Sequence, residues 1–192
     1  VQGEPRLIIM GGNQLDAYDP RTGKQIWLLP KQVGGRTVSG PTVADETAFA
    51  TRGKSGAMFA LALNRRGELN RRNLAWTNDQ GTPDSCTPVA YRTLLFTVSD
   101  NGIARCLDTD SGKLQWKRRV PGQYKASPVW CAERILLLNT EGICTVISAS
   151  RRFRELFTNR LSDLTIASPA IANGHVYIRG HKHLYCIGSS FR

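Results

Sequence analysis

The chain has 192 residues, of which 41% are hydrophobic and 21% charged, so its composition argues against disorder and is sufficient for a substantial core. Its formal net charge of +11 favours acidic partners or polyanions, although no block of five or more like charges forms a basic tail. No apolar run approaches the roughly 20 residues that a membrane helix needs, and no signal-peptide pattern opens the chain.

The first recognisable element is the phrase DPRTGKQIW at residues 19–27, which returns as DTDSGKLQW at residues 108–116. Both phrases read Asp-x-x-x-Gly-Lys-x-x-Trp. We predict that each forms a hairpin loop in which the Asp caps the turn amides and the Gly adopts the left-handed backbone region. These turn residues are Asp19, Gly23, Asp108 and Gly112.

A second pattern, a small or polar residue followed by Pro and apolar residues, recurs four times. Its prolines follow one another at steps of 47, 40 and 41 residues, and they are Pro41, Pro88, Pro128 and Pro169. An aromatic residue stands 12 residues before each of the last three prolines, and the aromatic series is Trp27, Trp76, Trp116 and Phe157. Two patterns that keep phase indicate a repeat of about 40 residues, and we predict that the aromatic residues pack between neighbouring repeats.

Within one repeat the sequence predicts four short strands, TPVAYR, LLFTVSD, IARCLDT and KLQWKRR, separated by turn signals. Four antiparallel strands per unit are typical of a β-propeller, whereas a β-solenoid has shorter repeats and a β-sandwich need not repeat. We therefore predict an all-β, partial β-propeller of about four to five blades in a single domain, 1–192. The predicted blades cover about 6–38, 39–85, 86–125, 126–166 and 167–188, with an insertion at 64–73.

The full phrase, followed by Ser-Pro, resembles the pyrroloquinoline-quinone-like (PQQ-like) β-propeller repeat family over roughly residues 6–188. The closing stretch ASPAIANGHVYIRGHKHLYCIG resembles the last blade of bacterial propellers of this type. Such propellers are rings of about seven or eight blades, closed by strands from the two chain ends. The chain holds three complete blades and two three-stranded pieces, so a missing N-terminal half or self-association is expected.

The resemblance implies one of several functional classes, which include uncharacterised extracytoplasmic propellers and sensor domains attached to kinases. Quinone-dependent dehydrogenases of the family bind PQQ and Ca²⁺ through a vicinal Cys-Cys pair, a base Asp, and clustered carboxylate and amide oxygens. The chain has no Cys-Cys pair, and its nearest candidates, Asp84 and Asp163, have no cluster of Glu or Asn around them. Another class is a non-catalytic scaffold, such as the lipoprotein of outer-membrane assembly.

We therefore expect a bacterial scaffold or protein-interaction module of periplasmic or other extracytoplasmic type, without a catalytic residue, cofactor or metal. The alternative is a fragment of a PQQ- and Ca²⁺-dependent dehydrogenase, and a third hypothesis is another enzyme that uses the central funnel.

Three smaller patterns favour structural roles. Widely spaced cysteines without Cys-x-x-Cys predict small buried hydrophobes, with one disulfide left open. His181 and His183 lack an obvious third ligand, which favours exposed turn histidines over a metal site. Ser39, Ser127 and Ser168 neighbour the repeated prolines, which predicts structural turn hydrogen bonds rather than a nucleophile.

Basic residues gather in the loops that join the first to the second strand and the third to the fourth strand. This distribution predicts a docking face for an acidic protein or acidic polymer, with solvated turn charge as the alternative. Nucleic-acid binding is disfavoured, because arginines are not interleaved with exposed aromatic residues. The candidate residues are Arg65, Arg66, Arg71, Arg72, Arg151 and Arg152.

If the basic face binds polyanions, replacing Arg65, Arg66, Arg71 and Arg72 together by Ser is expected to weaken binding to heparin and to flatten its dependence on salt. Affinity measured at several salt concentrations checks this prediction. Unchanged affinity together with an unchanged salt slope would contradict it.

Overall fold

The computed structural model describes residues 1, 3–11, 14–31, 38–53 and 56–188, and the predicted first blade includes positions outside these ranges. The first strands along the chain are β1 (Leu7–Gly11), β2 (Gln14–Tyr18), β3 (Gln25–Pro30), β4 (Thr42–Ala44), β5 (Thr47–Thr51), β6 (Met58–Ala62), β7 (Gly67–Glu68), β8 (Leu74–Asn78) and β9 (Val89–Tyr91). The remaining strands are β10 (Leu94–Val98), β11 (Ile103–Asp108), β12 (Leu114–Arg119), β13 (Val129–Cys131), β14 (Arg134–Leu138), β15 (Ile143–Ser148), β16 (Glu155–Arg160), β17 (Ala170–Ala172), β18 (His175–Arg179) and β19 (Leu184–Ile187).

The strands of the described residues form five sheets, which confirms the predicted partial all-β propeller. Sheet 1 contains β1, β2, β3 and β7; sheet 2 contains β4, β5, β6 and β8. Sheet 3 contains β9–β12, sheet 4 contains β13–β16, and sheet 5 contains β17–β19. A single 3-10 turn (Arg71–Asn73) precedes β8, and no helix of the described residues is long and apolar enough to cross a membrane.

Sheet 1 differs from the predicted three-stranded piece. The insertion of the second repeat contributes β7, which pairs in parallel with β3 so that Trp27 lies opposite Gly67. The Leu69 N–H donates to the Leu28 carbonyl at 2.7 Å, and the Leu69 side chain is buried between sheets 1 and 2. The insertion is therefore a short strand and a 3-10 turn that cover the edge of β3, because burying Leu69 draws the segment back onto sheet 1.

The hydrophobic core lies between adjacent sheets. One buried cluster joins sheets 1 and 2, a second joins sheets 2 and 3, and two further clusters join sheets 3 and 4 and sheets 4 and 5. Each sheet thus buries apolar side chains against its neighbours, as repeat architectures require.

The three tryptophans of the aromatic series connect successive sheets. The Trp76 Nε1–H donates to the Thr109 carbonyl at 2.7 Å, and the Trp116 Nε1–H donates to the Ser150 carbonyl at 3.0 Å. Trp27 makes the corresponding bond to the Leu63 carbonyl at 3.3 Å. In each case the acceptor follows the third strand of the next sheet, so each indole is anchored in the turn of its neighbour.

The turns of the two phrases share a backbone hydrogen bond from the Gly to the Asp and a cap from the Asp side chain. In one, the Gly112 N–H donates to the Asp108 carbonyl at 2.9 Å and the Ser111 N–H donates to Asp108 Oδ1 at 3.0 Å. In the other, Asp19 accepts from the Gly23 and Arg21 amides, each at 2.8 Å. Both glycines have positive φ, 67° for Gly112 and 71° for Gly23.

Phe157 does not pack as the predicted anchor between blades, because 57% of its surface is exposed. Each tryptophan of the series is covered by the chain that follows the third strand of the next sheet. Phe157 has no ring N–H, so it cannot make the hydrogen bond that anchors each tryptophan in the turn of the next sheet.

A ladder of hydrogen bonds links the first strands of sheets 2 to 5. The residue before each of the first three repeated prolines donates its N–H to the hydroxyl of its counterpart in the next sheet. These bonds run from Gly40 to Thr87, from Thr87 to Ser127 and from Ser127 to Ser168, and each is 2.9 Å long. Pro41, Pro88, Pro128 and Pro169 each stand directly before one of these strands.

The serine hydroxyls of this ladder therefore join neighbouring sheets, whereas the sequence predicted bonds within turns. Ser39 lies outside the ladder, with Oγ 3.4 Å from the Gly40 carbonyl.

Gly112 and Gly23 form a matched pair for testing the contact between sheets. A Cβ at Gly112 would lie 2.6 Å from the Trp76 ring, whereas a Cβ at Gly23 would meet nothing within 4 Å. Gly23→Ala is expected to lower the unfolding free energy by about 1 kcal/mol through backbone strain alone. Gly112→Ala should cost roughly 1–3 kcal/mol more because it displaces Trp76. Urea unfolding of both variants measures this difference, and equal losses would refute it.

Candidate functional site

The loops separate into two faces. On the first, here called the linker face, the connections between sheets contact the loops that join the second and third strands. For example, the Tyr124 N–H donates a hydrogen bond to the Asp100 carbonyl at 2.9 Å, and the Thr165 N–H donates one to the Thr140 carbonyl at 3.1 Å. On the second, here called the hairpin face, the loops that join strands one and two contact those that join strands three and four. The Ala149 N–H, for example, donates to the Glu133 carbonyl at 2.9 Å.

Asp100 on the linker face is tied to two connections between sheets. Its carboxylate accepts from the Ser85 N–H at 3.0 Å, the Ser85 hydroxyl at 2.7 Å and Lys125 Nζ at 2.6 Å. Burial raises the pKa of Asp100, but the hydrogen bonds from Lys125 and Ser85 outweigh burial and hold the pKa below its ordinary value. The carboxylate therefore fastens sheet 3 to the connections on either side of it.

Asp163 has a similar role between sheets 4 and 5. Its Oδ2 accepts the backbone N–H groups of Lys182 at 2.9 Å and His183 at 3.0 Å. Burial raises the pKa of Asp163, but these backbone hydrogen bonds bring it below its ordinary value. Gly180 makes room for the carboxylate, because a Cβ there would lie 2.4 Å from Oδ2.

The predicted candidates Asp84 and Asp163 stand in different connections, the first between sheets 2 and 3 and the second between sheets 4 and 5. The Asp84 N–H donates to Asp100 Oδ1 at 3.3 Å. In the part of the chain that the structure describes, no group of three or more His, Cys, Asp or Glu side chains is arranged to hold a metal ion.

All five cysteines lie within the described ranges, and all are free. Burial raises the pKa of Cys86 and Cys106 to about 12 and that of Cys144 to about 11, so these thiols remain protonated at neutral pH. Cys186 differs from the predicted buried hydrophobe, because it lies exposed on β19, the edge strand of sheet 5. His181 and His183 are exposed in the turn between β18 and β19, and His183 Nδ1 lies 3.5 Å from Asp163 Oδ2.

The predicted basic residues fall into separate places. Arg65 and Arg66 directly precede β7, while Arg71 and Arg72 belong to the 3-10 turn, where the Arg72 N–H donates to Asn70 Oδ1 at 3.0 Å. All four arginines are exposed, and the first two adjoin β7, the edge strand of sheet 1.

Arg151 joins sheets 3 and 4. Its guanidinium contacts Asp108 Oδ2 at 3.0 Å, Gln115 Oε1 at 3.0 Å and Thr93 Oγ1 at 3.1 Å. Hydrogen bonds from the Ser111 hydroxyl and then from Arg151 hold the pKa of Asp108 below its ordinary value. Arg152, the adjacent residue, is exposed.

A recess of about 490 Å³ lies on the hairpin face between sheets 3 and 4, next to Arg152. Sequence reasoning missed most of its surroundings: Tyr91, Arg92, Glu133, Arg154 and the neighbouring Trp130. The available signal was Trp130 itself, which stands two residues after Pro128 in a strand whose counterparts in the other repeats carry smaller residues.

Comparison with known proteins agrees with this architecture. Residues 65–156 match a family model described as outer membrane protein assembly factor BamB. Among curated protein sequences, none matches the chain. Together with the fold, the family match confirms the predicted resemblance to the PQQ-like β-propeller repeat family.

Solved structures share the fold at low sequence identity. BamB from Moraxella catarrhalis superposes with a TM-score of 0.77 and 16% identity, over 96% of this chain and 56% of that one. A quinohemoprotein alcohol dehydrogenase from Pseudomonas putida superposes with a TM-score of 0.66 and 12% identity, over 80% of this chain and 29% of the enzyme. A europium-containing methanol dehydrogenase superposes with a TM-score of 0.56 and 15% identity, over 67% of this chain and 26% of the enzyme. The chain thus spans little more than half of the BamB structure and less than a third of either enzyme.

Because the pKa of Asp100 is lowered in the folded state, the free energy of unfolding is expected to depend on pH in the acid range. A carboxyl group with a lowered pKa in the folded state stabilises the protein above its unfolded pKa of about 3.9, and this contribution is lost as the pH falls through the folded value. Asp100→Asn is therefore expected to be less stable than the parent at about pH 7, with the difference shrinking below about pH 4. Urea unfolding at both pH values tests this, with Asp110→Asn as the exposed control. A difference that does not change with pH would contradict the assignment.

Proposed function

Because the chain carries a β-propeller of the PQQ-like repeat family, we propose that it is a non-catalytic scaffold that binds other proteins outside the bacterial cytoplasm, in the periplasm. The matched family model describes an outer-membrane protein assembly factor, which supports a role of this chain in that process. A rigid set of sheets that presents many loops is suited to binding without chemistry of its own.

The observation that carries this proposal is the use of carboxylates on the linker face. The oxygens of Asp100 and Asp163 accept hydrogen bonds from backbone amides and from Lys125, and so hold neighbouring connections together. A carboxylate committed in this way is poorly placed to coordinate Ca²⁺ or to accept a proton from a substrate.

The residues of the described ranges do not fit a quinone and Ca²⁺ site. Ca²⁺ takes six to eight oxygen ligands. The two carboxylates serve different pairs of sheets, and the sequence contains no vicinal cysteines to contact the quinone. The proposed scaffold therefore needs no cofactor. Binding of PQQ together with Ca²⁺ would support the dehydrogenase hypothesis instead and overturn the proposal.

Two measurements test the proposal. Deletion of the gene in its source bacterium is expected to lower the amount of folded outer-membrane proteins, and a plasmid copy should restore it. Adding PQQ and Ca²⁺ to the purified protein is expected to leave the melting temperature unchanged.

Two results would contradict the scaffold role. The first is a normal outer-membrane protein profile after deletion. The second is a rise in melting temperature that requires PQQ and Ca²⁺ together, since a ligand that binds the folded state stabilises it.

A further inference from the structure

We propose that the recess between sheets 3 and 4 on the hairpin face binds an acidic, extended segment of a protein partner. Arg152 and Arg154 would bind its carboxylates, and the ring pair of Tyr91 and Trp130 would receive a neighbouring apolar side chain. This inference rests on the proposed scaffold role and assigns it a surface and a class of partner.

The recess has a volume of about 490 Å³ and opens to solvent on the hairpin face. Its walls come from the hairpin turn between β9 and β10, the turn between β13 and β14, and the loop between β15 and β16. The side chains that give the recess its charge and its aromatic wall are Tyr91, Arg92, Glu133, Arg152 and Arg154.

Glu133, the carboxylate of the recess, is already paired. Its Oε1 lies 3.2 Å from Arg92 Nη2 and accepts the Tyr91 hydroxyl at 3.1 Å. Arg151, which directly precedes Arg152 in the chain, is bound to Asp108 across the boundary between the sheets. These contacts account for the negative charge of Glu133 and for the positive charges of Arg92 and Arg151.

Arg152 and Arg154 are left as uncompensated charges. Both are exposed, and neither makes an ion pair with another residue of the described ranges. Their backbone is nevertheless fixed, because the Ser150 hydroxyl donates to the Arg152 carbonyl at 2.7 Å and the Ser148 N–H donates to the Arg154 carbonyl at 2.9 Å. Two guanidinium groups on a fixed backbone suit carboxylates, which arginine binds through paired hydrogen bonds.

An aromatic anchor adjoins these charges. The rings of Tyr91 and Trp130 are stacked with centroids 5.0 Å apart and planes 19° apart. Arg92 places its guanidinium carbon 5.0 Å from the centre of the Tyr91 ring. Trp130 remains 44% exposed although it is held on both the β13 backbone and the Tyr91 ring. Rigid, partly exposed tryptophans are frequent centres of binding energy in protein interfaces.

The charges favour an acidic peptide over a nucleic acid or polyphosphate. A continuous line of phosphates would pass Glu133, whose side chain is 71% exposed beside Arg92. A peptide can place carboxylates at Arg152 and Arg154 and a neutral or basic residue at Glu133. Its alternating side chains can also supply the apolar contact to Trp130.

The test uses the purified chain and a short fluorescein-labelled peptide in which glutamate alternates with leucine, with binding measured by fluorescence polarisation. The variant Arg152→Ser/Arg154→Ser is expected to bind at least about tenfold more weakly, since each charged hydrogen bond contributes substantially. Its salt dependence should also flatten. Arg119→Ser/Arg160→Ser removes the same charge from exposed positions at the linker-face ends of β12 and β16 and is the matched control, expected to bind within about twofold of the parent.

Two further variants separate the parts of the site. Trp130→Ala is expected to weaken binding about tenfold while leaving the salt slope unchanged. Glu133→Gln should strengthen binding, because it removes the negative charge and releases Arg92. Melting temperatures of all variants establish that each is folded.

Several outcomes would overturn the inference. These are equal losses in the Arg119/Arg160 control, undiminished binding of a peptide with glutamine in place of glutamate, and tighter binding of polyphosphate or single-stranded DNA through Arg152 and Arg154. If the peptide does not bind but gene deletion still depletes outer-membrane proteins, the recess is not the site and the scaffold role stands. If deletion has no effect while the peptide binds through these residues, the site stands without that role.

Discussion

The contact between the tryptophan of one sheet and the turn of the next holds the propeller together. Trp76 fits against Gly112 because this position has no Cβ, and its indole N–H is satisfied by the Thr109 carbonyl. The turn that receives Trp76 leads directly to Trp116, which binds the following turn at Ser150. The segment 108–116 therefore accepts a hydrogen bond from the tryptophan of the preceding sheet and donates one to the turn of the following sheet. Its repetition along the chain extends this packing from sheet to sheet. The proline-associated ladder repeats the linkage at the first strands.

This mode of assembly determines the roles of the polar and titratable groups. Asp100 and Asp163 fasten connections between sheets, Arg151 fastens two sheets on the opposite face, and Cys86 and Cys106 are buried as protonated thiols. Groups that an active site would use are thereby committed to structure. The surface of the loops remains available for function, because single residues there can change without disturbing the contacts between sheets.

The arginines of the hairpin face show why charge alone did not define a site. Arg151 and Arg152 are adjacent in sequence and identical in type, yet one is bound to Asp108 and the other faces solvent. Their difference comes from sheet 3, which offers a carboxylate to Arg151 only. The same neighbouring sheet brings Tyr91 against Trp130, a contact between residues 39 positions apart that no local pattern indicates.

The sequence alone predicted the fold class, the period, the two hairpin turns and the three tryptophans that pack between sheets, because each repeat contains the same short pattern of residues. It did not determine the course of the insertion, since whether β7 lies on sheet 1 depends on where Leu69 can be buried. Nor did it determine the exposure of Phe157, which depends on the contacts that sheet 5 offers to this side chain. The recess beside Trp130 likewise exists only where two sheets meet. Contacts within a repeat are formed by residues close together in the sequence and can be predicted from local patterns. Contacts between repeats depend on register and burial in three dimensions.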